Sequence, residues 1–230
     1  MCAVRGIIFD LDGLIIDSEG VDQIAWREEF ARAGVPVTPQ VYAEFWHSWS
    51  WERQIRMIHR LEALVGSPVD QEAILASRLA RYTELCADLP ARPGIREWIT
   101  EAHRLGLRLG VATNDDTGRA GKHLARLGLD VFLDAVVVLE KGFARKPAPD
   151  LYLQALKLLD LEPGEAVAVE DSSHGVEAAH RAGMLAIAYP TPTVSAHTDL
   201  SAADLIADAA ALTLTDALAK LDAAPLRQGS

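Results

Sequence analysis

Six carboxyl, hydroxyl and amine side chains in this sequence fall where phosphoryl chemistry would need them. Asp10 and Asp12 follow an apolar run, Thr113 with Asn114 follows a second, and Glu170 with Asp171 closes another. Lys146 precedes Pro147-Ala148-Pro149, a stretch that argues for a fixed backbone beside the amine. One acid after a strand is commonly a turn or helix-capping residue. Several strand ends that converge on acids, one hydroxyl and one lysine are a much rarer accident. The acids suit a hard cation such as Mg2+, which takes a few carboxylates plus water and phosphate oxygens. Asp10, Asp171 and Glu170 could supply that shell. Without a cation such carboxylates repel one another and rise in pKa; with one, Asp10 stays ionised and can attack phosphorus. Thr113 and Lys146 can hold the transferring oxygens. Asp12, two residues beyond Asp10, can protonate the leaving oxygen and later take a proton from water. Gly13 allows a tight turn beside it.

The elements that must present these residues alternate between short apolar strands and helices. Strands are predicted at Val4 to Phe9, Leu107 to Ala112, Ala135 to Leu139, Ala166 to Val169 and Leu185 to Tyr189. Helices are predicted at Gly94 to Leu105, Thr117 to Leu127, Pro149 to Leu159 and His174 to Ala182, with Gly106, Gly128 and Gly183 at the C-cap positions of three of them. This alternation implies a parallel sheet with right-handed crossovers, and ligands of such sheets bind at the carboxyl ends of strands.

The first crossover is different. About ninety residues separate the first two strands, far more than one helix needs. Amphipathic runs at Asp22 to Ala33, Glu52 to Val65 and Gln71 to Cys86, punctuated by Gly34-Val35-Pro36 and Gly66-Ser67-Pro68, predict an all-helical insert over residues 18–88. Residues 1–17 and 89–230 then form the α/β core, with Leu89 to Gly94 as the return linker and a loose tail from Ala223.

Bulk composition is that of an ordinary soluble globular protein. The 230 residues are 50% hydrophobic and 24% charged, with a formal net charge of -11. A chain this acidic with no basic patch argues against nucleic acid and anionic membranes as partners. It would also repel a phosphorylated substrate, so the site must carry its own positive charge. Two cysteines, Cys2 and Cys86, form no disulfide or zinc framework, and no apolar run approaches a bilayer span. A cytoplasmic location and a monomer or homodimer are expected.

Phe9-Asp10-Leu11-Asp12-Gly13-Leu14-Ile15-Ile16-Asp17-Ser18-Glu19 resembles the first signature of the haloacid dehalogenase-like hydrolases. Thr113-Asn114, Lys146-Pro147 with Ala148-Pro149-Asp150, and Glu170-Asp171-Ser172 resemble the other three, in order, over almost the whole chain. The resemblance is to the branch of phosphoglycolate phosphatases, sugar phosphatases and β-phosphoglucomutase. It implies a Rossmann-like parallel-sheet core with an inserted helical cap, hinged near Ile16 to Glu19 and Asp88 to Pro93. It implies that Asp10 is the nucleophile and Asp12 the acid/base, that Thr113 and Lys146 bind the phosphoryl group, and that Asn114 and Ser172 assist. Magnesium would be held by Asp10, the Asp12 carbonyl and Asp171, with Glu170 close by. Dehalogenase chemistry is disfavoured by Asp12. A phosphomutase stays as the alternative, although the histidine of those enzymes is replaced here by Asp22, a residue that could equally be a solvated helix position. A phospho-aspartate receiver module is a further alternative, but such modules are shorter and lack Asp12 and the insert. Arg53, Ser50 and Trp49 are candidate substrate contacts of the cap. Trp46, Trp49 and Trp51 are otherwise expected to fill the cap core, and His47, His59 and His174 are expected to be ordinary surface or capping residues.

Overall fold

The computed structural model describes residues 4–37, 51–115, 118–191 and 198–223. Short runs of two to five residues, mostly Val, Ile, Leu and Ala, build the sheet. β1 (Gly6–Phe9) lies at its middle, with β2 (Arg108–Ala112) and β3 (Ala135–Val137) on one side. β4 (Ala166–Glu170), β5 (Leu185–Ala188) and β6 (Leu205–Ile206) lie on the other. The order is β3-β2-β1-β4-β5-β6, every pairing parallel. β1, β4 and most of β2 are buried at every position, as expected when helices cover both faces.

The helices confirm the alternating pattern with small shifts at their ends. α4 (Ile95–Arg104) packs on β2; α5 (Arg119–Arg126) follows that strand. α6 (Asp150–Leu159) packs on β1, β2 and β3, and α7 (Ser173–Arg181) on β4 and β5. Ile8, Ala112, Ala168 and Ala186 meet Leu151, Tyr152, Leu156 and Val176 in one core on the α6 and α7 side. β6 and α8 (Leu214–Ala223) have no counterpart among the predicted elements. β6 is only two residues long, too short for a period to show. α8 is secured by contacts from afar: the Trp98 indole donates to the Leu212 carbonyl at 2.7 Å, and Glu101 accepts from the Leu214 amide at 3.0 Å. Ala223, predicted to open a loose tail, still belongs to α8; the rest of that predicted tail, residues 224–230, lies outside the described residues.

Two compact units result. One comprises residues 1–17, 90–195 and 199–230, the other mainly residues 18–89. Within the second, α1 (Ser18–Arg32) packs along α3 (Gln71–Cys86), and Val21, Ala25, Tyr82 and Cys86 form its core. α2 (Trp51–Val65) buries Met57, Ile58 and Leu61. Asp70 caps α3, its carboxylate accepting from the Ala73 amide at 3.0 Å.

Candidate active site

The strand register decides which residues meet. Phe9 is level with Val111 on one neighbour and with Val169 on the other. The residues one step further, Asp10, Ala112 and Glu170, therefore end three adjacent strands at the same height. The Asp10 amide prolongs the ladder by donating to the Val169 carbonyl at 3.0 Å. Central position and strand-end location give the Asp10 carboxylate a rigid backbone at the carboxyl ends of the strands, where parallel sheets bind their ligands.

Lys146 enters from the segment between β3 and α6, through a cis Lys146-Pro147 peptide bond. Its amide donates to the Asn114 side-chain oxygen at 3.0 Å, so Asn114 fixes the lysine backbone. The ammonium then donates to Asp10 Oδ1 at 2.6 Å, to Glu170 Oε1 at 2.6 Å and to the Ala112 carbonyl at 2.8 Å. The whole lysine is buried. Burial alone would lower its pKa, but the Asp10 and Glu170 carboxylates outweigh that and hold it above the ordinary lysine value. Lys146 is therefore a permanent cation at neutral pH.

Glu170 uses both oxygens. Oε1 accepts from Lys146 and, at 2.7 Å, from the Tyr152 hydroxyl. Oε2 accepts from the Asp171 amide at 3.2 Å and the Ser172 hydroxyl at 3.4 Å. α7 begins against it: Ser172 caps the helix by accepting from the Gly175 amide at 3.1 Å. A Cβ at position 175 would occupy the space of the Glu170 carboxylate, so only glycine fits there.

Asp10, Glu170 and Asp171 each present an oxygen within 4.8 Å of the others, all three buried. Set against Lys146, this leaves an excess of negative charge out of water. Burial first, then Glu170 and Asp12, push the Asp10 pKa up to about 8 despite the opposing pull of Lys146. Asp171 is likewise raised well above the ordinary value, by burial and then by Asp10 and Glu170. Hard oxygen donors, crowded and under-neutralised, are what a small divalent cation would satisfy, so the donor set fits Mg2+. Glu170 is the acid of the three already most committed, to lysine and tyrosine.

Asp12 lies at the turn that follows. Its Oδ2 is 3.5 Å from the Thr113 hydroxyl, which also accepts from the Asp115 amide at 3.1 Å. Gly13 has a φ of 85°, which a side-chain-bearing residue rarely adopts, and its amide closes the turn on the Ile16 carbonyl at 2.8 Å. The predicted core set, Asp10, Asp12, Thr113, Asn114, Lys146, Glu170 and Asp171, is thus brought together at one sheet edge.

Two residues of this edge escaped the sequence reading. Tyr152 belongs to an apolar helical period with Leu151, Ala155, Leu156 and Leu159, so only its hydroxyl sets it apart, and its partner is visible only in the fold. Arg92 stands between Pro90 and Pro93; a charge in a proline-bracketed linker was its one signal. Its guanidinium is buried and donates to backbone carbonyls of two loops.

The second unit corrects one expectation. Asp22 is not a solvated helix residue: it is fully buried and pairs with Arg53 at 2.6 Å and with Arg78. Arg53 is itself buried, with Glu19 at 3.8 Å from its other terminus, so its guanidinium is bound by carboxylates of α1. Arg78 in turn lies 5.2 Å from the Tyr82 ring centre. Ser50, Trp49, Trp46 and His47 lie outside the described residues, as does the side chain of Trp51. His59 is exposed and His174 half-buried. Among the described residues, no helix is long and apolar enough to cross a membrane.

Comparison with known proteins places this geometry in context. A family model described as haloacid dehalogenase-like hydrolase matches residues 4–183. Protein CbbY of Cereibacter sphaeroides is 32% identical over 216 residues, covering 89% of this chain and 92% of its own. Fructose-1-phosphate phosphatase YqaB of Escherichia coli is 30% identical over 187 residues, covering 79% and 94% respectively. The crystal structure of a CbbY variant from Rhodobacter sphaeroides in complex with xylulose-(1,5)bisphosphate superposes with a TM-score of 0.73 at 30% identity, covering 93% of this chain and 99% of that one.

Proposed function

The chain belongs to the haloacid dehalogenase-like hydrolases, and on that premise we propose that it is a magnesium-dependent phosphatase that cleaves a small phosphorylated sugar through a phospho-aspartate on Asp10. The observation that carries this reading is the buried Lys146 ammonium, 2.6 Å from both Asp10 and Glu170 at the ends of adjacent strands, with Asp12 and Thr113 beside them. That is a nucleophile, a fixed cation and a separate acid within one small space.

Asp10, Asp171 and the Asp12 carbonyl would hold the magnesium ion, with Glu170 behind them; when bound, the ion neutralises charge on the carboxylates and on the phosphoryl oxygens. Asp10 forms an O–P bond while the bond from phosphorus to the sugar oxygen breaks, and Asp12 gives its proton to that departing oxygen. Water then attacks the phospho-aspartate. Asp12 takes the proton of that water, and the Asp10 carboxylate leaves with the electrons of its O–P bond. Lys146 and Thr113 orient and stabilise the equatorial oxygens in both steps. Asn114 and Glu170 act through Lys146, holding its backbone and its ammonium.

Phosphorylated sugars are favoured as substrates by the relatives, which include a fructose-1-phosphate phosphatase and a protein crystallised with xylulose-(1,5)bisphosphate. Phosphoglycolate belongs to the same class of small phosphate monoester. The helical unit would serve as the cap, excluding water while the ester forms. The phosphomutase alternative has less support, because the position of the mutase histidine is held here by Asp22, bound to two arginines. A cytoplasmic monomer or homodimer belongs to the same proposal.

The test is phosphate release from a panel of hexose phosphates, pentose phosphates and phosphoglycolate, with Mg2+ or with chelator. Many turnovers per enzyme with Mg2+ alone, abolished in Asp10→Asn, are expected. A stoichiometric, long-lived phosphoprotein, or normal turnover by Asp10→Asn, would reject the reading.

A further inference from the structure

Arg92 lies in the segment that returns to the sheet, and its guanidinium donates hydrogen bonds to carbonyl oxygens, with the Asp171 and Asp17 carboxylates near enough to favour its charge. One terminal nitrogen donates to the Gly13 carbonyl at 2.6 Å and to the Tyr189 carbonyl at 2.8 Å. The other donates to the Pro190 carbonyl at 2.9 Å. The guanidinium carbon lies 3.9 Å from the centre of the Tyr189 ring, and the Arg92 amide donates to the Ile15 carbonyl at 2.8 Å. The residue is 7% exposed.

These partners belong to two loops that both matter to the site. Gly13 and Ile15 are in the turn that carries Asp12. Tyr189 and Pro190 follow β5, and the Tyr189 amide is tied to the Glu170 carbonyl at 2.7 Å. Arg92 thus connects the turn bearing Asp12 to the strand end bearing Glu170 and Asp171. The turn needs such a connection. Its pivot, Gly13, is the residue type with the greatest conformational freedom, and it sits directly after Asp12. A planar fork with several donors suits this bridging, which a single ammonium point charge cannot reproduce.

We infer that Arg92 is a positioning residue for the acid/base function of Asp12. This rests on the phosphatase reading above. In the first step the proton on Asp12 passes to the departing sugar oxygen as Asp10 bonds to phosphorus. If Arg92 governs where Asp12 stands, its loss harms departure of a poor leaving group, an alkoxide. It does little harm to p-nitrophenolate, which departs as a stable anion without that proton.

The experiment compares kcat/KM, which reports phosphoryl transfer to Asp10, for a hexose phosphate that the wild type hydrolyses and for p-nitrophenyl phosphate. Arg92→Met is expected to lose roughly 10- to 100-fold on the hexose phosphate and under about 3-fold on the aryl phosphate. Arg92→Lys is expected to lie between wild type and Arg92→Met, with the same split. Asp12→Asn should show the split at its fullest. Equal losses on both substrates, or no loss on either, would overturn the inference. Should Arg92→Met fail to fold, Arg92→Lys decides: an unchanged ratio of the two kcat/KM values overturns it. A wild type inactive on every phosphate ester is a different failure, that of the phosphatase reading, and would be seen before any variant is made.

Discussion

The ammonium of Lys146 donates to Asp10 Oδ1 at 2.6 Å although the two residues are 136 positions apart in the chain. The same nitrogen holds Glu170 at the same distance. One buried cation therefore serves two strand ends, which makes it both a structural counter-charge and a candidate phosphoryl ligand.

Replacing it separates these roles. Lys146→Met should lower kcat/KM by about 10²–10³, the usual cost of removing one charge-stabilising donor. It also leaves Asp10 and Glu170 buried without their cation. Breaking a buried pair on one side costs about 3–5 kcal/mol, so the magnesium-free variant should unfold at markedly lower urea. Wild-type activity or wild-type stability in this variant would contradict the site as described.

The raised pKa of Asp10 makes stability depend on pH and on metal. In the unfolded chain this carboxyl ionises near its ordinary value of 3.8; in the folded chain it holds its proton to about 8. The folded state therefore binds more protons across that window. Without metal, the contribution of this group to stability is fully present below about pH 4 and is lost as pH rises to about 8. A cation prefers the ionised carboxylates, so the rise in melting temperature produced by Mg2+ should be larger at about pH 8 than at about pH 5. Equal Mg2+ shifts at the two pH values would sink this account of the acidic cluster.

The second unit offers an independent prediction. Asp22 is fully buried between Arg53 and Arg78. Asp22→Ala would leave two buried guanidinium groups without that carboxylate, a loss of about 3–5 kcal/mol. Asp22→Asn, which still accepts hydrogen bonds, should lose less. Urea denaturation reads both, and a change within about 0.5 kcal/mol for Asp22→Ala, the range of ordinary surface substitutions, would show that the pair is not structural.

Much of the architecture was legible because strands and helices write their periods locally. Asp10, Thr113 and Asp171 announced themselves by standing just past apolar strands, and Gly106, Gly128 and Gly183 by closing helices, each with positive φ. The two-residue β6 carried no period, and α8 depends on Trp98 and Glu101, more than a hundred residues earlier. Asp22 was unreadable for a different reason. A carboxylate on an amphipathic helix is ordinarily solvated, and only the packing of α2 and α3 against α1 determines that two arginines surround it.

By itself, the sequence determined the class of chemistry: acids, hydroxyl and lysine after successive strands of a parallel sheet, with a helical insert after the first. Tertiary structure alone decided who holds whom. The level register of β1, β2 and β4 brings Asp10, Ala112 and Glu170 to one height, Lys146 crosses to bind all three, and Tyr152 and Arg92 become supports. The physical reason is that residue type and local period are encoded along the chain. A hydrogen bond or a pKa depends instead on distances and burial, which exist only once distant segments are packed.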